Sequence, residues 1–184
     1  MRAAITCLLA GAAIALVACH PSQPANPPSA AAAAPPETPS LWSVEAQNDQ
    51  GKSLKTILIC ADAGIRTAFT RPLPSVSGQA CSLVAPTVES AGRFAARCRS
   101  AGQLLDIQAV TTGNPMSDFT VNLLIQTNDT SRPAFAQTIH YHRVGACPSD
   151  WATGDAATPG AKQAKNSLSG ASHPLSAPAA APAS

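Results

Sequence analysis

The residues whose types and spacing bear most directly on chemistry are six cysteines and a close pair of histidines. His140 and His142 stand two apart in a stretch that reads as a strand, so both imidazoles point to one face. That spacing recurs in zinc and copper sites, but such a site needs three or four converging ligands. Asp118 and Asp129 are the acids available, and no pattern in the sequence places either beside the pair. An ordinary histidine pair, with no metal and no cofactor, is the expectation. The cysteines lack the Cys-x-x-Cys spacing of redox-active thiols. There is no nucleophile elbow of the Gly-x-Ser-x-Gly kind, no Gly-rich phosphate loop and no His-Glu-x-x-His. The few acids are scattered. A non-enzymatic protein is expected.

Charge excludes another class. Residues 41–150 carry nine Lys/Arg against eight Asp/Glu, and the whole chain has a formal charge of +2. A nucleic-acid binder needs a basic excess on one face. Arg93, Arg97 and Arg99 share a face of a strand and make at most a small positive patch, so no nucleic-acid partner is expected.

Two of the cysteines belong to the start of the chain. Met1-Arg2 is a short positive start, and residues 3–17 form an apolar run too short for a membrane span, which needs about 20 residues. It fits a signal peptide over residues 1–18. The run ends in Leu16-Val17-Ala18-Cys19, which resembles the lipobox of bacterial lipoproteins. The resemblance implies that the Cys19 thiol takes a diacylglyceryl group, that the peptide is cut before it, and that the new amine is acylated. Two or more acyl chains give a stable anchor where one is marginal. An ordinary secretory cut after Ala15 would instead leave Cys19 as a free thiol beside an even set of four. His20 follows the cysteine where an aspartate would retain the protein at the inner membrane by the enteric sorting rule, which points to the outer membrane, facing the periplasm. Residues 20–40 hold seven prolines and six alanines. With Cys19 they read as a tether, and if extended it spans on the order of 50 Å.

The elements that position the remaining residues follow from periodicity. All seven aromatics lie between Trp42 and Trp151, so the packed core is expected there. The domain is read as residues 41–155. Residues 156–184 are Ala, Ser and Pro-rich and are read as a disordered tail, because such a composition buries too little apolar surface to offset the entropy of ordering. Strands are expected over residues 41–47, 53–60, 80–88, 92–99, 103–111, 117–127 and 133–143, with a Pro-containing loop, and room for a short helix, between the second and third. The breaks carry the Gly, Asn, Asp and Ser of tight turns. They are too short for parallel crossovers, so neighbours run antiparallel. The fold class is therefore all-β: an antiparallel meander of about seven strands forming one curved sheet or a partly open barrel. Trp42, Val44 and Ala46 share one face. Phe119, Val121, Leu123 and Ile125 form a second buried row, and Phe135, Ile139 and Tyr141 a third, with Gln137 an awkward neighbour on that face.

Four cysteines remain for this domain, an even set suited to a disulfide framework. Around the turn at Glu89-Ser90-Ala91, Cys81 and Cys98 fall nearly opposite each other. That leaves Cys60 for Cys147. The segment from Pro39 to Pro148 is similar to a family of bacterial envelope proteins filed as domain of unknown function 3617. The matches are Pro39-Ser40-Leu41-Trp42, then Cys60, Cys81 and Cys98, then Arg143-Val144-Gly145-Ala146-Cys147-Pro148. Ser40 replaces that family's glycine, and Ala61-Asp62 replaces its usual Leu-Thr. The resemblance implies an exported, disulfide-bonded β fold and brings no activity.

Two functions stay open on the sequence. The first is a module that binds a small apolar molecule or a peptide, its pocket lined by Phe119, Ile125 and Tyr141 inside the curved sheet. The second is a structural or accessory envelope protein that docks another protein through its sheet surface or an edge. A cavity at those three residues would favour the first, and a filled interior with an open edge the second.

Overall fold

The computed structural model describes residues 37–129, 131–177 and 179. The expected signal peptide, Cys19 and nearly all of the expected tether lie outside the described residues.

Among the described residues the domain holds thirteen strands and one helix. Strand β1 (Ser40–Gln47) turns through Asn48-Asp49-Gln50-Gly51 into β2 (Ser53–Ala61). The Asn48 side chain accepts from the backbone N–H groups of Gln50 and Lys52 at 3.1 and 2.8 Å, and Gly51 supplies the positive φ of 73°. Helix α1 (Ala63–Thr70) follows, capped by Asp62, whose Oδ1 accepts from the Ile65 N–H at 2.9 Å. It ends at Arg71, the residue before Pro72, where proline disfavours helical backbone. Two-residue strands β3 (Ser75–Val76) and β4 (Gln79–Ala80) pair with each other. The edge pieces β5 (Ser82–Leu83) and β6 (Val88–Ser90) lead into the long strands β7 (Arg93–Ser100), β8 (Gln103–Asn114), β9 (Asp118–Thr127) and β10 (Phe135–Ala146).

Seven strands was an underestimate. Eleven, among them β11 (Asp155–Ala157), β12 (Gln163–Asn166) and β13 (Ser172–Pro174), form one curved antiparallel sheet in the order β13-β12-β11-β2-β1-β10-β9-β8-β7-β5, with β6 also on β7. The meander from β7 to β10 is as expected, and its last strand pairs with β1. The expected strand over residues 80–88 is broken into β4, β5 and β6, because Cys81 and then Ala85-Pro86-Thr87 interrupt the ladder and proline donates no hydrogen bond.

The larger correction concerns residues 156–184, read as a disordered tail. Strands β11 (Asp155–Ala157), β12 (Gln163–Asn166) and β13 (Ser172–Pro174) extend the sheet past β2. What orders them is polar as much as apolar. Asp155 is 1 % exposed, and its carboxylate accepts from the Ala152 N–H at 2.7 Å and from Asn166 Nδ2 at 2.8 Å. The Gly154 N–H donates to the Cys60 carbonyl at 2.8 Å. Around that network Leu58, Ala157, Ala164 and Ala179 are buried together, with Leu41, Trp151, Ala161 and Leu175 against them.

The main core lies on the other face, between the sheet and α1. Trp42, Ile59, Phe69, Phe94, Leu105, Ile107, Phe119, Val121 and Tyr141 are buried there. The Trp42 indole N–H donates to Ser40 Oγ at 2.9 Å, which satisfies a buried donor locally. Phe135 departs from its expected burial. It begins β10 opposite Ile125 and is half exposed. Both disulfides are those expected, Cys60–Cys147 and Cys81–Cys98.

Candidate functional site

Phe119 and Tyr141 stand directly opposite each other on β9 and β10. Their rings stack with centroids 4.7 Å apart. Phe69, carried by α1, stacks on the other side of Tyr141 at 4.5 Å, and Trp42 meets both phenylalanines edge-on at about 6 Å. The four rings therefore fill the space assigned to a ligand. Phe119 is 1 % and Tyr141 5 % exposed. Each aromatic pair contributes about 0.5–1.5 kcal/mol beyond its buried area. Burial pushes the Tyr141 phenol up to about 12, as expected for an ionisation that would place a charge among hydrocarbon. Ile125 lies three positions further along β9 from Asn122, half buried at the rim of the same core. The expected pocket at Phe119, Ile125 and Tyr141 is thus occupied by the protein's own side chains.

His140 and His142 do share a face, and the register brings Asp118 to them. His142 is paired with Asp118 across β9 and β10. One carboxylate oxygen lies 3.1 Å from His140 Nε2 and the other 2.8 Å from His142 Nδ1. Hydrogen bonds from His142 and then His140 hold the Asp118 carboxyl below its ordinary range. Among the described residues no group of three or more His, Cys, Asp or Glu is arranged to hold a metal ion. The carboxylate takes the place between the rings, so the arrangement is a surface hydrogen-bond bridge. Asp129 is elsewhere, accepting from Ser131 and paired with Arg132.

The arginine patch is reduced in the same way. Arg97 forms a two-pronged pair with Asp106 at 2.6 and 3.0 Å. Arg93 lines an open cleft of about 410 Å³ between the end of α1 and the β6–β7 turn, where Arg71 and Glu89 pair at 2.6 Å.

What the structure leaves available is the sheet itself. Across its outer face Val88, Ala95, Gln108, Leu124 and Ala136 are in register on five successive strands, β6 to β10. Val88 is 66 % exposed. Asp155 and Asn166, which build the sheet's other end, carry no hydrophobic period, and sequence reasoning missed them. No protein-family model matches the chain, and neither a curated protein nor a solved structure is similar to it.

Proposed function

We propose that this is a non-enzymatic envelope lipoprotein, exported by residues 1–18 and anchored through lipid on Cys19, whose β domain binds an extended segment of another protein. The observation that carries this reading is the ring stack of Trp42, Phe69, Phe119 and Tyr141, whose packing inside the curved sheet favours binding at its outside. An unclosed sheet has edges and a face on which an extended peptide can lie. Kinship with the envelope family that the cysteine spacing resembles, and residence at the outer membrane, belong to the same proposal.

Native mass spectrometry of the protein taken from its own envelope tests it. A complex with a second protein, cross-linked at sheet residues, is expected. A discrete adduct of a few hundred daltons on an otherwise bare domain would overturn it in favour of small-molecule binding. Cys19→Ser is expected to move the protein from the membrane to the soluble fraction, and unchanged membrane retention refutes the anchor.

A further inference from the structure

The structure points to one edge of the sheet. Strand β2 pairs with β1 from Ser53 to Ala61, with an irregularity at Leu54 where the register shifts by one residue. On its other side β11 pairs with Leu58 and Ile59 alone, and the Gly154 N–H takes the Cys60 carbonyl. On the side away from β1, the first five residues of β2, 53–57, therefore have no strand beside them among the described residues. Beyond Ala157 the chain leaves the ladder at Thr158-Pro159-Gly160 and returns as β12. A cleft of about 430 Å³ opens at that departure, walled by Lys55 and Ile57 of β2 and by Ala156, Ala161 and Lys165. Half of the sheet edge is thus covered and half is left as an unfinished ladder beside a cleft with small apolar walls.

Charge selects what completes it. Lys55 and Lys165 are exposed and are the charged residues lining the cleft. Residues 50–60 hold Lys52 and Lys55 and no acid, and residues 156–184 hold Lys162 and Lys165 and no acid. Lysine on an edge strand discourages pairing with a like strand. A second copy of this chain would bring further lysines to an edge that is already basic, whereas a strand carrying carboxylates would gain at both walls. Unpaired backbone supplies the affinity of strand addition, and the flanking side chains supply the choice of partner.

We propose that residues 53–57 of β2 and the cleft beside them take an extended, acidic peptide segment of about five residues as an added strand. This rests on the reading above that the domain binds a protein segment, and it names the site and the class of that segment.

The probes are two terminally blocked six-residue peptides, one alternating valine with glutamate and the other valine with lysine. Each is titrated into the domain while backbone amide shifts are followed by NMR. The acidic peptide is expected to shift the amides of Lys55 to Ile57 and Ala156 to Thr158, and to bind at least tenfold more tightly than the lysine peptide. The exposed double change Lys55→Glu with Lys165→Glu, its fold checked by unshifted amides in β7 to β10, is expected to reverse that preference. Equal binding of the two peptides, no binding of the acidic one, or shifts confined to another part of the sheet would overturn the proposal. The double variant also separates the two readings in the envelope. A native complex that survives the charge reversal leaves protein binding intact and refutes this edge, while a small-molecule adduct on the wild type refutes both.

Discussion

Tyr141 is the one tyrosine in the chain, so its ionisation can be followed alone. It is 5 % exposed, between Phe69 and Phe119, with its phenol pushed up from 10 to about 12 by burial. In the unfolded chain the same phenol ionises near 10. Below pH 10 both states keep the proton and the group adds no pH dependence. Between 10 and 12 the unfolded state loses its proton first, so stability falls as pH rises through that window. Two units at 1.36 kcal/mol each amount to about 3 kcal/mol in full. The assay is phenolate absorbance against pH, with circular dichroism run alongside to report unfolding. The expected result is no phenolate until the fold itself gives way, above pH 11, and a Tyr141→Phe variant that resists alkali better. Reversible ionisation near pH 10 in a protein still folded would refute the filled core. It would mean that water or a ligand space reaches the ring, and the interior binding pocket would return.

Three further outcomes follow from the packing. Replacing Cys60 and Cys147 by serine is expected to cost about 4.5 kcal/mol in urea unfolding, and replacing Cys81 and Cys98 about 3, because the loops closed span 87 and 17 residues; the reverse order would refute the loop-entropy basis. Gly113→Ala is expected to lose about 2 kcal/mol or more. At φ +97° its new Cβ would meet the Asp118 carbonyl at 2.7 Å and Phe119 Cα at 2.9 Å. An unchanged melting temperature would show that β8 and β9 approach less closely there. Asp118 is expected to titrate below its ordinary value by NMR, and to return toward it when His142 is replaced by asparagine. The small stability it contributes is present above the ordinary carboxylate range and is lost as pH falls through the lowered value.

The alternating strands were legible because their side chains obey a period of two with large residues on one face. Phe119, Val121 and Leu123 are buried as that period requires. The histidines' shared face followed from the same rule. Asp118 did not, because its place beside them depends on register. A slip of one residue between β9 and β10 would send it to the opposite face, and the loop that sets the register, residues 128–134, gives no such detail in its composition. Both disulfides could be deduced because one turn nearly fixed Cys81 against Cys98. The final strands were hidden for a different reason. Their buried side chains are Ala157 and Ala164, too small to announce a core, and the group that organises them is a buried aspartate. Gly154, Gly160 and Gly170, all with positive φ, were the turn signal present in that stretch. Phe135 misled in the opposite sense, since period alone does not tell where a core ends.

The same topology bears on how an anchored domain would present its open edge. Ser40 at the start of β1 is paired with Ala61 at the end of β2, and Gln47 at the far end is paired with Ser53. The chain that leads back to Cys19 therefore joins the sheet at one end of this hairpin, while Lys55 and its unpaired neighbours lie toward the other. With a rise of about 3.3 Å per residue the two ends are about 25 Å apart. Cys147, next to the β10 residues that pair with Ser40 and Leu41, ties β2 at Cys60 on the tether side. The disulfide thus braces the end of the hairpin at which the preceding chain joins the sheet, and it leaves the opposite half of β2 without a cross-link. Under the proposed function, a lipid at Cys19 and an added strand at Lys55 would load different ends of one hairpin, and anchoring would not compete with binding.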